Sequence, residues 1–443
     1  MTPGARLQAA IDITGNIDRR RNFVPADAVV HQYFKTRRYI GSKDRRSISE
    51  TVYTALRHRS RIDWWLARVG LEPEARSRII ATLLVAEQMD PQKVEGLFGG
   101  DRFSPAELTK PEYKALKALA GRTADHPEMP EHIRLECPDW AEAPLRRVFG
   151  DRFAREMDAI NQPAPVDLRI NPMKITRAEG LELLKGLGVE AQETRLSPWG
   201  LRLSGRHALA DSTPFKQGLL EVQDEGSQLV AALAGAKPGM QIVDFCAGAG
   251  GKALVMAAEM KGKGRVVACD VNQQRLDRAG ERAVRADLHN IERRLLETER
   301  DPWVKRHKLK FDRVLVDAPC SGTGTWRRNP DARWGRGGPD LEELTTIQNN
   351  VLASACRLVR PGGRLLYATC SVLAEEDEDC IERFLAAQPD FRALDVREVW
   401  AEVLGTPCPV EGPYLRLSPG SHDTDGFFCA VLERAPAEEA PAA

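Results

Sequence analysis

At 443 residues, with 64 Lys/Arg balanced by 64 Asp/Glu and 42% hydrophobic residues, the chain has the composition of a soluble globular protein and, at roughly 150 residues per domain, the length of about three folding units. No apolar run approaches the ~20 residues that span a bilayer, and Met1-Thr2-Pro3-Gly4-Ala5-Arg6 leads into no signal-peptide core, so a cytoplasmic protein is expected. The nine cysteines are odd in number and form no Cys-x-x-Cys pair, so neither a metal site nor a dithiol redox centre is expected and the thiols are read as reduced.

Residues 1–125 read as an all-helical domain. Ile48, Val52, Leu56, Ile62, Leu66 and Val69 recur near helical period behind a candidate cap, Ser42, and further helices are expected near 25–39 and 72–88. Arg45, Arg46, Arg57, Arg59 and Arg61 surround that stripe. Residues 1–70 hold 14 Lys/Arg against 6 Asp/Glu, a net +8, whereas residues 371–443 carry a net −11. A basic end on a neutral chain suggests a polyanionic partner, against the plainer reading of a solvated helix face.

Residues 126–225 read as an α+β connector, with a strand at 166–170 and a helix at 178–186. From 226 to 434, short apolar runs alternate with helical stretches. Strands expected at 241–245, 264–270, 291–296, 311–318 and 363–369 argue an α/β fold with a parallel, doubly wound sheet. A late strand at 427–432 is expected to close one edge. The Ala/Pro/Glu tail at 435–443 lacks the hydrophobicity to fold.

The chemistry gathers after three of those strands. Asp244-Phe245-Cys246-Ala247-Gly248-Ala249-Gly250-Gly251-Lys252 is a glycine-rich turn between a strand and a helix, where bare backbone lets a ligand approach and helix-start N–H groups face it. Dinucleotide, flavin and S-adenosylmethionine proteins all use such turns. Asp270, at the end of the next strand, is placed to accept from ribose hydroxyls; the alternative is a helix cap ahead of Asn272.

Two thiols, Cys320 in Asp317-Ala318-Pro319-Cys320-Ser321-Gly322-Thr323-Gly324 and Cys370 in Thr369-Cys370-Ser371, follow apolar strands and should meet at the carboxyl edge of the sheet, where open α/β sheets bind ligands. Cys320 precedes Arg327-Arg328, and Cys370 precedes a helix start expected at Ala374-Glu375-Glu376. Both settings favour the thiolate, the nucleophilic form. A redox pair is the less favoured alternative, because Asp317 raises the pKa of a neighbouring thiol. Cys269, Cys356, Cys380 and Cys429 read as small buried hydrophobes.

The Asp317–Gly324 run, the Thr369-Cys370-Ser371 element, the Gly-Gly-Lys turn and Thr424-Asp425-Gly426-Phe427-Phe428 resemble the Nop/Sun (Fmu) family of RNA cytosine-5 methyltransferases. Leu168-Arg169-Ile170-Asn171, Val222-Gln223-Asp224-Glu225 and Asn329-Pro330-Asp331-Ala332-Arg333-Trp334 are similar too, in family order. Lys43-Asp44-Arg45-Arg46 through Trp64-Trp65-Leu66 resembles, more loosely, the NusB-like helical domain of the RsmB-type small-subunit rRNA methyltransferases of bacteria.

The resemblance implies a class I, Rossmann-like methyltransferase domain at 226–434 behind a NusB-like RNA-binding domain at 1–125. It also implies S-adenosylmethionine as cofactor and RNA, small-subunit rRNA above all, as partner. In that family Cys370 would be the nucleophile at cytosine C6, Cys320 would assist product release, and Asp317 would hold the N3/N4 edge. Cys246, Ala247, Gly248, Ala249, Gly250, Gly251 and Lys252 would contact the methionine end of the cofactor, and Asp270 its ribose. The adenine acid has no clean match; Glu297 is chosen ahead of Glu299 and Asp301. The family's usual Ala-Pro before Gly-Gly is here Gly248-Ala249, which leaves the loop less rigid. Arg169 and Asn171 are either substrate contacts or order the connector, and Lys252 is a site residue rather than a solvated helix-start charge. The basic stretch 305–336 suits phosphate contacts. Rival readings are the same chemistry on tRNA or another RNA, and a ribosome-assembly factor that needs no catalysis.

Overall fold

The computed structural model describes every residue except 21–23, 206, 208, 336, 337, 339 and 437–443, so the tail expected to be disordered lies, from 437 onward, outside the described residues. The chain packs as two units: Met1–Gln162 with Trp326–Pro339, and Pro163–Thr325 with Asp340–Ala443. No helix among the described residues is long and apolar enough to cross a membrane.

The first unit is helical, but its apolar stripe is split over two helices, Ser42–Arg57 and Arg59–Val69, which break at His58. Ile48, Val52, Leu56, Ile62 and Leu66 are at most 2% exposed. Ser42 is the first helical residue rather than the cap; Gly41 holds that position without a side-chain bond. The second helix is capped from a distance. The carboxylate of Glu136 accepts the N–H groups of Ser60 at 2.8 Å and Arg61 at 3.1 Å, satisfying donors that a helix start leaves orphaned. Arg57 and Arg59 are buried, and Arg61 pairs with Glu136 and Asp125. Three of the five arginines around the stripe therefore hold the unit together rather than face an outside anion.

This unit runs past the boundary expected at 125, through the helices Asp139–Phe149 and Phe153–Asn161, and takes in Trp326–Pro339 from the middle of the expected catalytic domain. Arg333, fully buried, donates to the carbonyl of Glu136 and to Asn161 Oδ1, both at 3.1 Å. Asp331 accepts from Ala26 N at 2.9 Å, Trp334 Nε1 donates to Leu56 O at 3.3 Å, and Arg57 donates to Arg327 O at 2.7 Å. The basic stretch 305–336 is thus partly structural: Arg327 and Arg333 are buried, and Arg313, also buried, donates to Ala234 O.

The second unit contains two sheets. The smaller is antiparallel, in the order β2-β3-β1-β4, from β1 (Val166–Ile170), β2 (Ala191–Glu193), β3 (Gly200–Leu203) and β4 (Leu220–Val222). The helix Arg177–Gly186 covers it, opened by a capping box between Thr176 and Glu179.

The larger sheet uses β5 (Gln241–Asp244), β6 (Arg265–Asp270), β7 (Ile291–Leu295), β8 (Phe311–Asp317), β9 (Val359–Thr369), β10 (Phe391–Ala393), β11 (Leu415–Leu417) and β12 (Phe427–Arg434). Its order is β10-β12-β9-β8-β5-β6-β7, with β11 beside β12, and the five strands from β7 to β9 are parallel. β12 is antiparallel to β9 and is not an edge strand, since β10 and β11 pair on its far side. Phe428, Ala430 and Leu432 enter the core on one face and Cys429 and Val431 the core on the other, as an interior strand requires. The chain leaves β5 in one direction to β6 and β7 and returns on its other side to β8 and β9. Ligands gather at the carboxyl edge of such a switch point.

Candidate active site

The loop after β5 is built for close approach. Gly248 and Gly250 have φ of 54° and 79°, a region that side chains disfavour. Gly250 immediately precedes the helix Gly251–Glu259, and a Cβ on it would meet that of Ala279 at 2.9 Å. The loop is pinned from several sides: Ala247 N donates to Cys269 O and Gly248 N to Asp270 Oδ2, each at 2.8 Å. Ala249 O accepts from Arg282 at 2.8 Å, and Gly251 O from Arg169 at 2.9 Å. These bonds restrain a loop that lacks the family's proline.

A cleft of 710 Å³ opens over the carboxyl edge. Cys246, Ala247, Gly248, Ala249, Gly251, Lys252, Asp270, Glu297, Asp317, Cys320 and Cys370 all line it, with Glu299; Gly250 lies outside the lining. Asp301 is also outside, taken up in accepting Trp303 N at 2.8 Å and Glu297 N at 3.0 Å. Asp270 closes the turn to Asn272 through a 2.8 Å bond, but the helix Gln273–Ala286 is capped by Asn272 itself, so the reading of Asp270 as that helix's cap does not hold. Val271, Leu296, Ile347 and Val351 give the cleft apolar walls.

The two sulfurs lie 3.5 Å apart as free thiols. Cys320 does not have the thiolate-favouring setting expected of it. Its hydrogen bond to Cys370, its burial and the nearby Glu376 carboxylate push its thiol well above the usual range, with only the Gly322 N–H acting the other way. Arg327 and Arg328 belong instead to the helical unit. After Cys370 the helix begins at Glu378, later than expected. Cys269, Cys356, Cys380 and Cys429 are buried, as expected of small hydrophobes.

Beside the thiols, Lys252 Nζ donates to Asp317 Oδ2 at 2.6 Å and stands 5.6 Å from the centre of the Phe427 ring. Burial works against its charge, but Asp317, then Asp244 and a Cys370 thiolate, outweigh it and hold the ammonium above its ordinary pKa. Beneath them, Asp244 is 1% exposed, with the backbone N–H of Ala253 beside its carboxyl. Burial, then the charge of Asp317, push it up to about 7, against the pull of Lys252. The native state thus holds a proton that the unfolded chain gives up near pH 4. The residue's contribution to stability is complete below about pH 4 and is lost as pH rises through about 7. Asp244→Asn is therefore expected to raise Tm over the wild type more at pH 8 than at pH 5, read by calorimetry at the two values.

Arg169 and Asn171 are ordering residues. Arg169 is buried against Gln223 and Gly251 O, and Asn171 donates to Ala286 O at 2.8 Å and Gly218 O at 3.2 Å. Burial and the facing Arg282 pull the Arg169 guanidinium down to about 9. Two residues of this region were given no site role by the sequence: Arg282, which carries Ala249 O, and Glu376, which is fully buried behind both thiols. Only the Glu-Glu-Asp-Glu-Asp run at 375–379 marks Glu376 in the sequence, and a charge run ordinarily signals a solvated face.

A family model described as 16S rRNA methyltransferase RsmB/F matches residues 231–433, and the ferredoxin-like domain of RsmF/B-like methyltransferases matches residues 137–210. A Synechocystis protein named probable ribosomal RNA small subunit methyltransferase B is 30% identical over 97% of this chain and 99% of its own length. The crystal structure of PH0851 superposes with a TM-score of 0.79 at 26% identity, covering 98% of this chain and 99% of that one. That of a methyltransferase homologue from Pyrococcus horikoshii does so at 0.58 and 25%, over 69% of this chain and 97% of that one. With a parallel sheet, a glycine cradle and two thiols already in family order, these likenesses make the chain a member of the 16S rRNA methyltransferase RsmB/F family, of the RsmB type within the Nop/Sun methyltransferases.

Proposed function

We propose that the chain methylates C5 of a cytosine in small-subunit rRNA, through a covalent bond between Cys370 and C6. The observation that carries the reading is the pair of sulfurs 3.5 Å apart in the same cleft as the Lys252–Asp317 ion pair and the glycine loop. The cleft suits S-adenosylmethionine. At Gly248 an added Cβ would meet no protein atom within 4 Å, so the bare backbone leaves room for a ligand, and Asp270, Glu297 and Glu299 in the lining offer acceptors for its hydroxyl and amine groups. When bound there, the cofactor supplies an electrophilic sulfonium methyl.

The residues divide the work. Cys246–Lys252 would cradle the methionine end, with Asp270 at the ribose, Glu297 or Glu299 at the adenine edge, and the apolar walls against the base. Cys370 adds as thiolate to C6, and the displaced electron pair makes C5 nucleophilic; Lys252 is the cation that the thiolate faces. Asp317 binds the N3/N4 edge through the oxygen that Lys252 leaves open. Once C5 is methylated its proton goes to a base, the S–C6 bond breaks and the C5–C6 double bond returns, with Cys320 assisting that release. The helical unit is assigned to holding RNA.

Incubating the purified chain with S-adenosylmethionine and unmethylated small-subunit rRNA, then sequencing after bisulfite treatment, tests the reading; a protected cytosine at one position is expected, and its absence sinks the substrate assignment. Asp270→Ala is expected to weaken cofactor binding by about tenfold or more, since charge-assisted bonds to the ribose are lost and the glycine loop loses its tether at Gly248 N. Calorimetry giving an unchanged affinity would remove Asp270 from the site.

A further inference from the structure

The loops that carry the two thiols converge on one carboxylate. Glu376 is 0% exposed. Its Oε1 accepts from Ser321 N at 2.8 Å and Gln348 Nε2 at 2.9 Å, and its Oε2 from the hydroxyls of Ser321 and Ser371, each at 2.5 Å. Ser321 and Ser371 are the residues that directly follow Cys320 and Cys370. Gln348 Nε2 also donates to Pro319 O at 3.0 Å, so Cys320 is gripped on both sides.

The remaining bonds tie one loop to the other. Thr323 Oγ1 lies 3.1 Å from Ser371 Oγ and accepts Val372 N at 3.0 Å, and Gly324 N donates to Cys370 O at 2.9 Å. Tyr367 of β9 donates to the carbonyl of Glu376 at 2.6 Å. Glu376 has no ion-pair partner among the described residues, in contrast to Asp317, which has Lys252. An unpaired buried charge is costly to retain, and neutral side chains would satisfy hydroxyl and amide donors equally well.

We propose that Glu376 is a positioning residue for the thiol pair, holding the Cys320 loop and the Cys370 loop in the register that sets the spacing of the two sulfurs. The inference rests on the reading of those cysteines as the reacting pair. The charge gives it a second consequence. Of the groups facing Cys320, Cys370, chiefly through its hydrogen bond, and Glu376 both favour the protonated thiol, and the Gly322 N–H opposes. Glu376 therefore adds to the preference of Cys320 for its protonated form.

Glu376→Gln preserves the shape, because Oε1 still accepts and the serine hydroxyls can turn to accept from the amide; Glu376→Ala removes the four bonds made by the carboxylate. Full-length wild type and both variants are treated with iodoacetamide from about pH 6 to 10, without RNA or cofactor, and modification of each cysteine is read by mass spectrometry. In Glu376→Gln the pH of half-modification of Cys320 is expected to fall by about one unit, the scale set by removing a nearby like charge. In rRNA methylation, kcat should fall about tenfold in Glu376→Gln and about a hundredfold in Glu376→Ala, with KM for RNA and affinity for S-adenosylmethionine within about twofold of wild type. If the alanine variant fails to fold, the glutamine variant decides alone. An unchanged Cys320 profile, or wild-type kcat in Glu376→Gln, overturns the proposal. A wild-type chain that forms no methylcytosine overturns the functional reading instead, and the alkylation profiles still judge Glu376.

Discussion

Cys370→Ala is expected to abolish both turnover and any covalent protein–RNA species, whereas Cys320→Ala is expected to trap one. Without Cys370 nothing adds to C6, and C5 stays too poor a nucleophile to take a methyl group. With Cys370 intact and Cys320 replaced, addition and methylation proceed but release stalls, and turnover should fall by about 10²–10⁴, the range of a positioned acid–base group. The sulfurs are 3.5 Å apart, near enough for one to act on the bond the other has made. Mixing each variant with rRNA and S-adenosylmethionine and running a denaturing gel reads the adduct as a shifted band. A band from Cys370→Ala and none from Cys320→Ala would exchange the two roles, and no band from either would remove the release role.

The second large effect is expected from deleting residues 1–125. The cleft is lined wholly by residues 227–370 of the second unit, so affinity for S-adenosylmethionine should persist in calorimetry. The segment Trp326–Pro339 should not stay seated, because the deletion removes Ala26 N, Leu56 O and Arg57, three of its partners. It also strips Glu136 of Ser60 N and Arg61, and with them the helix start that its carboxylate caps. Trypsin should then cut after Arg327 or Arg328, sites protected in the full chain, and rRNA affinity should fall at least about tenfold as phosphate contacts are lost. A truncated chain as resistant as the full one would refute this seating. If it also bound RNA equally well, the helical unit would be a docking module for protein.

The parallel sheet and the glycine turn were legible because their evidence is local: a buried strand, then a turn, then a helix, each within a dozen residues. The position of β12 was not, since the apolar run 427–432 reads alike at an edge or in the interior, and only β10 and β11 decide between them. The helical boundary was misjudged for a related reason. Arg333 and Glu136 are 197 residues apart and Asp331 and Ala26 are 305 apart, and such pairs leave no periodic trace. At the thiols, sequence neighbours were poor guides to electrostatics. Asp317, three positions before Cys320, is engaged by Lys252, and Arg327 is buried in the other unit, while Cys370, 50 positions after Cys320, and burial dominate the Cys320 thiol, with Glu376 adding to them.

The return of Trp326–Pro339 to the helical unit also bears on how the protein is made. Domains ordinarily complete in order as the chain leaves the ribosome. Here the first unit lacks Arg333, Asp331 and Trp334 until most of the second has been synthesised, an interval on the order of ten seconds at ordinary rates of elongation. Through that interval the carbonyls of Glu136 and Leu56 and the N–H of Ala26 wait for partners that do not yet exist. Completion of the helical unit therefore follows translation of the Cys320 loop, because Cys320 precedes Trp326–Pro339 in the chain.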